Sequence, residues 1–163
     1  IRTACAAAQG LAWAVDRPVI CVPTLTAAAV LFFREQPDVR RVLIALDARM
    51  HECYVQAFEA GHPDAPAALS EPSAVKPSAI GNLVREFNCG AAAGSAFAVY
   101  PEATESAGCP VFAGLEVTSR GVALLARTMF MKGEAVTASL ASPIYVRNRV
   151  ALTIKERQAG EKL

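Results

Sequence analysis

Residues 2–15 carry small and apolar side chains almost without interruption, and no proline appears before Pro18. Ala, Leu and Gln dominate, which predicts a helix. One stripe of that helix holds Ala4, Ala7, Ala8 and Leu11, and a second holds Thr3, Ala6, Gly10 and Trp13. A helix that is small and apolar on two faces can approach neighbours on both sides. That suits a helix sandwiched between its own sheet and a partner, and equally a plain interior helix. Pro18 to Val22 is short, apolar and β-branched, which predicts a strand. Thr24 is placed as the N-cap of a helix running to about Gln36, with Leu25, Ala28, Ala29, Phe32 and Phe33 on its apolar side. Pro37-Asp38 ends it.

Arg41 to Asp47 is the strongest strand pattern, apolar on both faces except at its end, and belongs in the middle of a covered sheet. Ala48 to His51 turns, and Glu52 to Glu59 reads as the returning, antiparallel strand. Residues 60–77 hold four prolines and read as a surface loop with one short strand near Ala68 to Val75. Ser78 to Phe87 is helical, with Ile80, Leu83, Val84 and Phe87 on one face. Gly90 to Val99 reads as a strand that stops near Gly94. Residues 100–114 read as loop, with an extended piece at Pro110 to Phe112. Thr118 starts a helix to about Lys132, with Val122, Leu125, Ala126 and Met129 inward and Gly133 past its end. From Ser139 the chain reads as extended. Strands alternating with helices give an α/β class, and the break near residues 37–40 is the best lobe boundary.

Composition narrows the functional classes. Alanine supplies 33 of 163 residues, and 53% hydrophobic against 19% charged is too apolar for a disordered chain. A net charge of +1 leaves no broad electrostatic footprint for nucleic acid or an anionic membrane. The first fourteen residues lack a basic lead-in and are broken by Gln9-Gly10, which disfavours a signal peptide or a membrane span. Cys5, Cys21, Cys53, Cys89 and Cys109 form no C-x-x-C pair and read as buried, reduced thiols of a cytosolic protein. His51 and His62 offer no zinc spacing.

The richest polar cluster is Asp47 to Glu52. Asp47 ends an apolar strand, where α/β proteins place functional groups. It is either a metal or phosphate ligand with Arg49 or His51 beside it, or part of a hairpin turn whose Asp47 and Arg49 satisfy local backbone and each other. Gly90 and Gly94 do not complete a phosphate loop, and no G-x-S-x-G or H-E-x-x-H occurs. Residues 147–162 hold five cations against two carboxylates, read as a solvated basic tail.

Three blocks carry a family resemblance. The first is Ile1-Arg2 with Ala8-Gln9-Gly10-Leu11-Ala12, Pro18-Val19 and Val22-Pro23-Thr24-Leu25. The second is Val42 to Met50 with Glu52-Cys53-Tyr54. The third is Pro143-Ile144-Tyr145-Val146-Arg147 with Val150-Ala151. In this order they resemble the TsaB (YeaZ) family. The resemblance implies an α/β, actin-like ATPase (ribonuclease H-like) two-lobed fold whose first lobe is incomplete. Residues 1–39 are then a first-lobe remnant, 40–138 the second lobe and 139–163 an extended basic tail. A G-P-G-S-F-T-G loop is expected immediately before Ile1.

The resemblance also implies a cytoplasmic, non-catalytic subunit. Its expected partners are TsaD, which transfers threonylcarbamoyl to adenine 37 of tRNA, and the ATPase TsaE, with a homodimer as a further possibility. No cofactor is expected in this chain; ATP and metal belong to the partner subunits, and tRNA is reached only through the complex. Thr3, Ala6, Gly10 and Trp13 are expected to face the partner, with Ala4, Ala7 and Leu11 as the alternative edge. Asp47, Arg49 and Glu52 form the motif turn, and Tyr145 and Arg147 the tail motif. Without its own lobe, the helix of residues 2–15 is expected to be displaced or covered by another molecule. Ala4, Cys21 to Thr24 and His51 depart from the family pattern; the family often has glycine at the position of His51.

Overall fold

The structure is a computed structural model that describes residues 1–62 and 64–146. Its centre is a mixed sheet in the order β3-β2-β1-β5-β6, with β4 pairing the first residues of β2, Cys53 to Val55. The strands are β1 (Arg41–Asp47), β2 (Cys53–His62), β3 (Ala65–Ala68), β4 (Ser73–Val75), β5 (Ala91–Ala93) and β6 (Val111–Phe112). β1 and β2 are antiparallel, in register from Arg41 opposite Glu59 to Asp47 opposite Cys53. β1 runs parallel to β5, and β5 to β6.

Alternation along β1 sends Val42 and Ile44 to one face and Leu43 and Ala45 to the other, and all four are buried. The first face is covered by α2 (Thr24–Glu35), whose Leu25, Ala28, Phe32 and Phe33 join Phe58 and Leu115 in one core. The second is covered by α3 (Ile80–Glu86), α4 (Ala96–Val99) and α5 (Pro101–Ala107), through Ile80, Val84, Phe97, Ala103 and Ala107. A fourth layer, α6 (Ser119–Met131), lies over α2. For that reason α2 also buries Ala27, Val30 and Leu31, which the sequence left on its outer side. Contact there is close: a β-carbon on Gly121 would press against Leu31 and the Ala27 carbonyl.

Several expectations are corrected. Pro18 to Val22 is not a strand; only Val19 pairs, bonding both ways with Val136 at 2.8 and 2.9 Å. Pro18 and Pro23 bracket the segment and remove two donors. Thr24 is not the N-cap of α2. Pro23 holds that position, and Thr24 is the first helical residue. Residues 100–114 contain α5, begun by Pro101 and ended by Gly108 at φ 65°. In the 60–77 segment β3 and β4 replace the one expected strand. As expected, β5 stops before Gly94; the short α4, which the sequence reading did not place, follows it. Along α6 the inward positions are Gly121 and Leu125, with Leu124 and Met129 half-buried, whereas Val122 is exposed. Gly133, at φ 77°, stops this helix as expected.

The remaining helix, α1 (Arg2–Ala14), stands apart from both cores: it buries Ala12 alone. No helix among the described residues is long and apolar enough to cross a membrane.

Phe32 is fully buried and touches Phe33 and Phe112 edge-on, at 5.6 and 5.3 Å between ring centroids. Phe32→Ala is expected to cost about 3–5 kcal/mol, read by urea unfolding. A loss under 1 kcal/mol would show that α2 does not seal this face of the sheet.

Candidate functional site

Two places hold candidate residues: the carboxyl end of β1 and the exposed side of α1.

At the first, β1 ends on Asp47 beside the carboxyl end of β5. Gly94 there has φ 127°, and a β-carbon would run into the carbonyl of Ala45, so only glycine lets β5 turn so close to β1. The turn delivers Ser95, whose Oγ accepts the Asp47 backbone N–H at 3.1 Å. It also leads into α4 and then Tyr100, whose hydroxyl donates to Asp47 Oδ1 at 2.8 Å. The Arg49 backbone N–H donates to the same oxygen at 2.8 Å, and the Arg49 guanidinium lies 3.3 Å from Oδ2. Asp47 is therefore engaged in holding a turn, as in the second of the two sequence readings.

That turn is unusual. Arg49, Met50 and His51 have φ of 61°, 55° and 58°, three consecutive left-handed residues with side chains. Each costs roughly 1–2 kcal/mol relative to right-handed backbone. The bonds to Asp47, together with Ala48 N–H to the Glu52 carbonyl at 2.9 Å and Glu52 N–H to the Arg49 carbonyl at 3.1 Å, hold the turn closed. Glycine at the place of His51 would adopt this conformation freely. The His51 Nε2 lies 2.9 Å from Glu102 Oε1, and its ring meets Tyr100 edge-on at 5.2 Å. Ser95, Tyr100 and Glu102 complete the cluster and were not singled out in the sequence; they approach only because β5 and α5 sit beside β1.

The Arg49 N–H and then the Tyr100 hydroxyl hold the Asp47 carboxyl below the usual carboxylate range, with burial opposing them. The same bond to Asp47 pushes the Tyr100 hydroxyl up. All five cysteines are free thiols. Burial pushes Cys53 and Cys89 up to about 11, so neither is a ready nucleophile at neutral pH. Among the described residues no group of three His, Cys, Asp or Glu side chains is placed to hold a metal ion.

At the second place, Thr3, Ala6, Gly10 and Trp13 are all exposed, and so are Ala4, Ala7 and Leu11. Trp13 is 77% and Leu11 72% accessible. A β-carbon on Gly10 would meet nothing within 4 Å. Both stripes are therefore free surface, and the face between them, Cys5, Gln9 and Ala12, is the one turned inward. A groove of about 410 Å³ opens beside Trp13, lined also by Asp16, Arg17, Thr137 and Ser139. Tyr145 lies near Arg2, with Arg2 Nε 3.2 Å from its hydroxyl. Arg147, the second residue of the tail motif, falls outside the described residues.

Known proteins match this chain over most of its length. A model of the family described as TsaD, tRNA N6-adenosine threonylcarbamoyltransferase, matches residues 1–116. The tRNA threonylcarbamoyladenosine biosynthesis protein TsaB of Escherichia coli K12 is 27% identical over 154 residues, 93% of this chain. The chain spans 66% of that relative's length. Two solved structures from Pseudomonas aeruginosa are similar. A protein described as having similarity to peptidase YEAZ superposes with TM-score 0.76 at 28% identity, over 90% of this chain and 67% of its own. YeaZ superposes with TM-score 0.73 at 27% identity, over 88% of this chain and 66% of its own. The α/β fold is thus the actin-like ATPase fold of the YeaZ structures.

The depressed Asp47 sets a pH signature. Its ionised form stabilises the fold fully above the unfolded carboxylate value of about 3.9, and that stability is lost as pH falls through the lower folded value. Tyr100→Phe removes one cause of the depression. It is expected to narrow the difference in unfolding free energy between pH 7 and pH 3; an unchanged difference would show that the Tyr100 bond does not act on Asp47.

Proposed function

The chain belongs to the family of TsaD, tRNA N6-adenosine threonylcarbamoyltransferase, among its TsaB/YeaZ members, and from that premise we propose that it is a non-catalytic subunit that pairs with TsaD and activates it. In this reading TsaD carries out threonylcarbamoyl transfer to adenine 37 of tRNA. TsaE joins the assembly, ATP and metal reside in those partner subunits, and tRNA is met only through the complex, in the cytoplasm. The lobe division at residues 37–40 belongs to the same reading. Residues 1–39 serve the first lobe, 40–138 form the second and 139–163 the tail, with α2 the joint packed on the second-lobe sheet.

One observation carries the proposal. α1 is a 13-residue helix of small and apolar residues that buries only Ala12. Small side chains let a second helix approach closely, and each square ångström of apolar surface so hidden favours association by about 25 cal/mol before the costs of binding. Thr3, Ala6, Gly10 and Trp13 are assigned as the partner-facing edge, and Leu11 with Ala4 and Ala7 as the alternative. Asp47, by contrast, is occupied by bonds that keep a left-handed turn closed.

Two other readings use the same residues. A nucleotide-hydrolysing or peptidase-like enzyme takes its support from the name of one solved relative and from the polar cluster at Asp47. It requires turnover by the isolated chain that disappears in Asp47→Ala. A homodimer would use the α1 face instead of TsaD, and competition between the two is visible by light scattering.

Gly10→Arg places a long side chain in open space on α1, where it improves helix propensity. The variant is expected to stay folded yet lose TsaD pairing by at least about 100-fold in sedimentation, with loss of stimulated transfer. Unchanged pairing would remove Gly10 from the interface.

A further inference from the structure

Tyr145 of the tail motif has a place in the structure that the pairing reading leaves unused. α1 packs chiefly on the Ala138–Leu140 turn. Two side-chain interactions fasten the helix to the segment that follows. Gln9 Nε2 donates to the Ala141 carbonyl at 2.8 Å across a half-buried contact. Near the other end, Arg2 Nε donates to the Tyr145 hydroxyl at 3.2 Å, and its guanidinium lies 5.9 Å from the centre of the same ring. Ala138 and Ala141 are themselves buried. The segment is tied to the body upstream by the paired bonds of Val136 and Val19.

The helix has little else to keep it in place. A 13-residue helix is marginal in water by itself, and Ile1 at its N-cap offers no side-chain bond to the first turn. Its far end is closed locally. Asp16, at φ 48°, donates its N–H to the Trp13 carbonyl at 3.3 Å, and Arg17 N–H reaches the Ala12 carbonyl at 2.9 Å, the bond pattern of a left-handed helix stop. That stop ends α1 but does not orient it.

We infer that residues Ala138 to Tyr145 form a strap that sets where α1 stands, with Gln9 and Tyr145 as positioning residues. The strap holds the inward face of Cys5, Gln9 and Ala12 and so leaves both small-residue stripes turned outward. Its consequence for partner binding rests on the pairing reading above; the strap itself does not.

Hydrogen exchange followed by mass spectrometry, on the chain without any partner, tests this. In Gln9→Ala and in Tyr145→Ala, exchange of peptides covering residues 2–14 is expected to rise at least about fivefold, while β1 and β2 peptides stay at the wild-type rate. Tyr145→Phe, which keeps the ring over Arg2, is expected to restore most of the protection. Unchanged α1 exchange in both alanine variants would overturn the strap, and so would an equal rise in β1 and β2, which marks general destabilisation. TsaD pairing by Gly10→Arg is read separately, so failure of the partner assignment leaves the exchange result standing.

Discussion

The structure depends on one constraint: β1 is apolar on both faces and must be covered on both. Val42 and Ile44 require α2, and Leu43 and Ala45 require α3 to α5. Once α2 lies on the sheet, its remaining apolar side needs a cover, and α6 supplies it through Gly121 and Leu125. The polar residue that ends β1, Asp47, then emerges at the rim of the sheet beside the β5 turn. Its carboxylate takes up the N–H and hydroxyl donors that converge there. α1 takes no part in this sequence of coverings, so its apolar surface is left over.

What was legible in the sequence follows the same physics. β1 was evident to the residue, because five consecutive apolar residues, Val42 to Leu46, bounded by Arg41 and Asp47 have few other solutions. Its antiparallel return was evident too, from the short turn, although β2 runs on to His62. The α5 helix was not legible because Pro101, Gly108 and Pro110 equally mark a loop. Its signals were present: Pro101 at the first turn, Glu102 beside it and Gly108 past the end. The Val122 assignment failed because helical spacing alone does not say which of several apolar stripes meets a neighbour. The decisive feature was the missing side chain of Gly121. The polar cluster was half legible: Asp47, Arg49 and His51 are neighbours in sequence, whereas Ser95, Tyr100 and Glu102 arrive through tertiary contact.

The two candidate sites differ in what they leave available. Around Asp47, donors and acceptors are matched to each other, and the product of that matching is a closed left-handed turn. Along α1 the opposite holds: the surface is apolar and exposed, and few contacts hold it. A surface carried on a weakly held helix can be oriented by whatever fastens that helix, here the bonds of Gln9 and Tyr145.

Trp13 is the only tryptophan in the chain, which allows the central claim to be read at one atom. With 5-fluorotryptophan incorporated, the chain gives a single fluorine resonance at a solvent-exposed position. Titration with TsaD is expected to move that resonance and to suppress its solvent isotope shift as the ring is covered. A complex that forms in sedimentation while the Trp13 resonance keeps its exposed position and isotope shift would contradict the account.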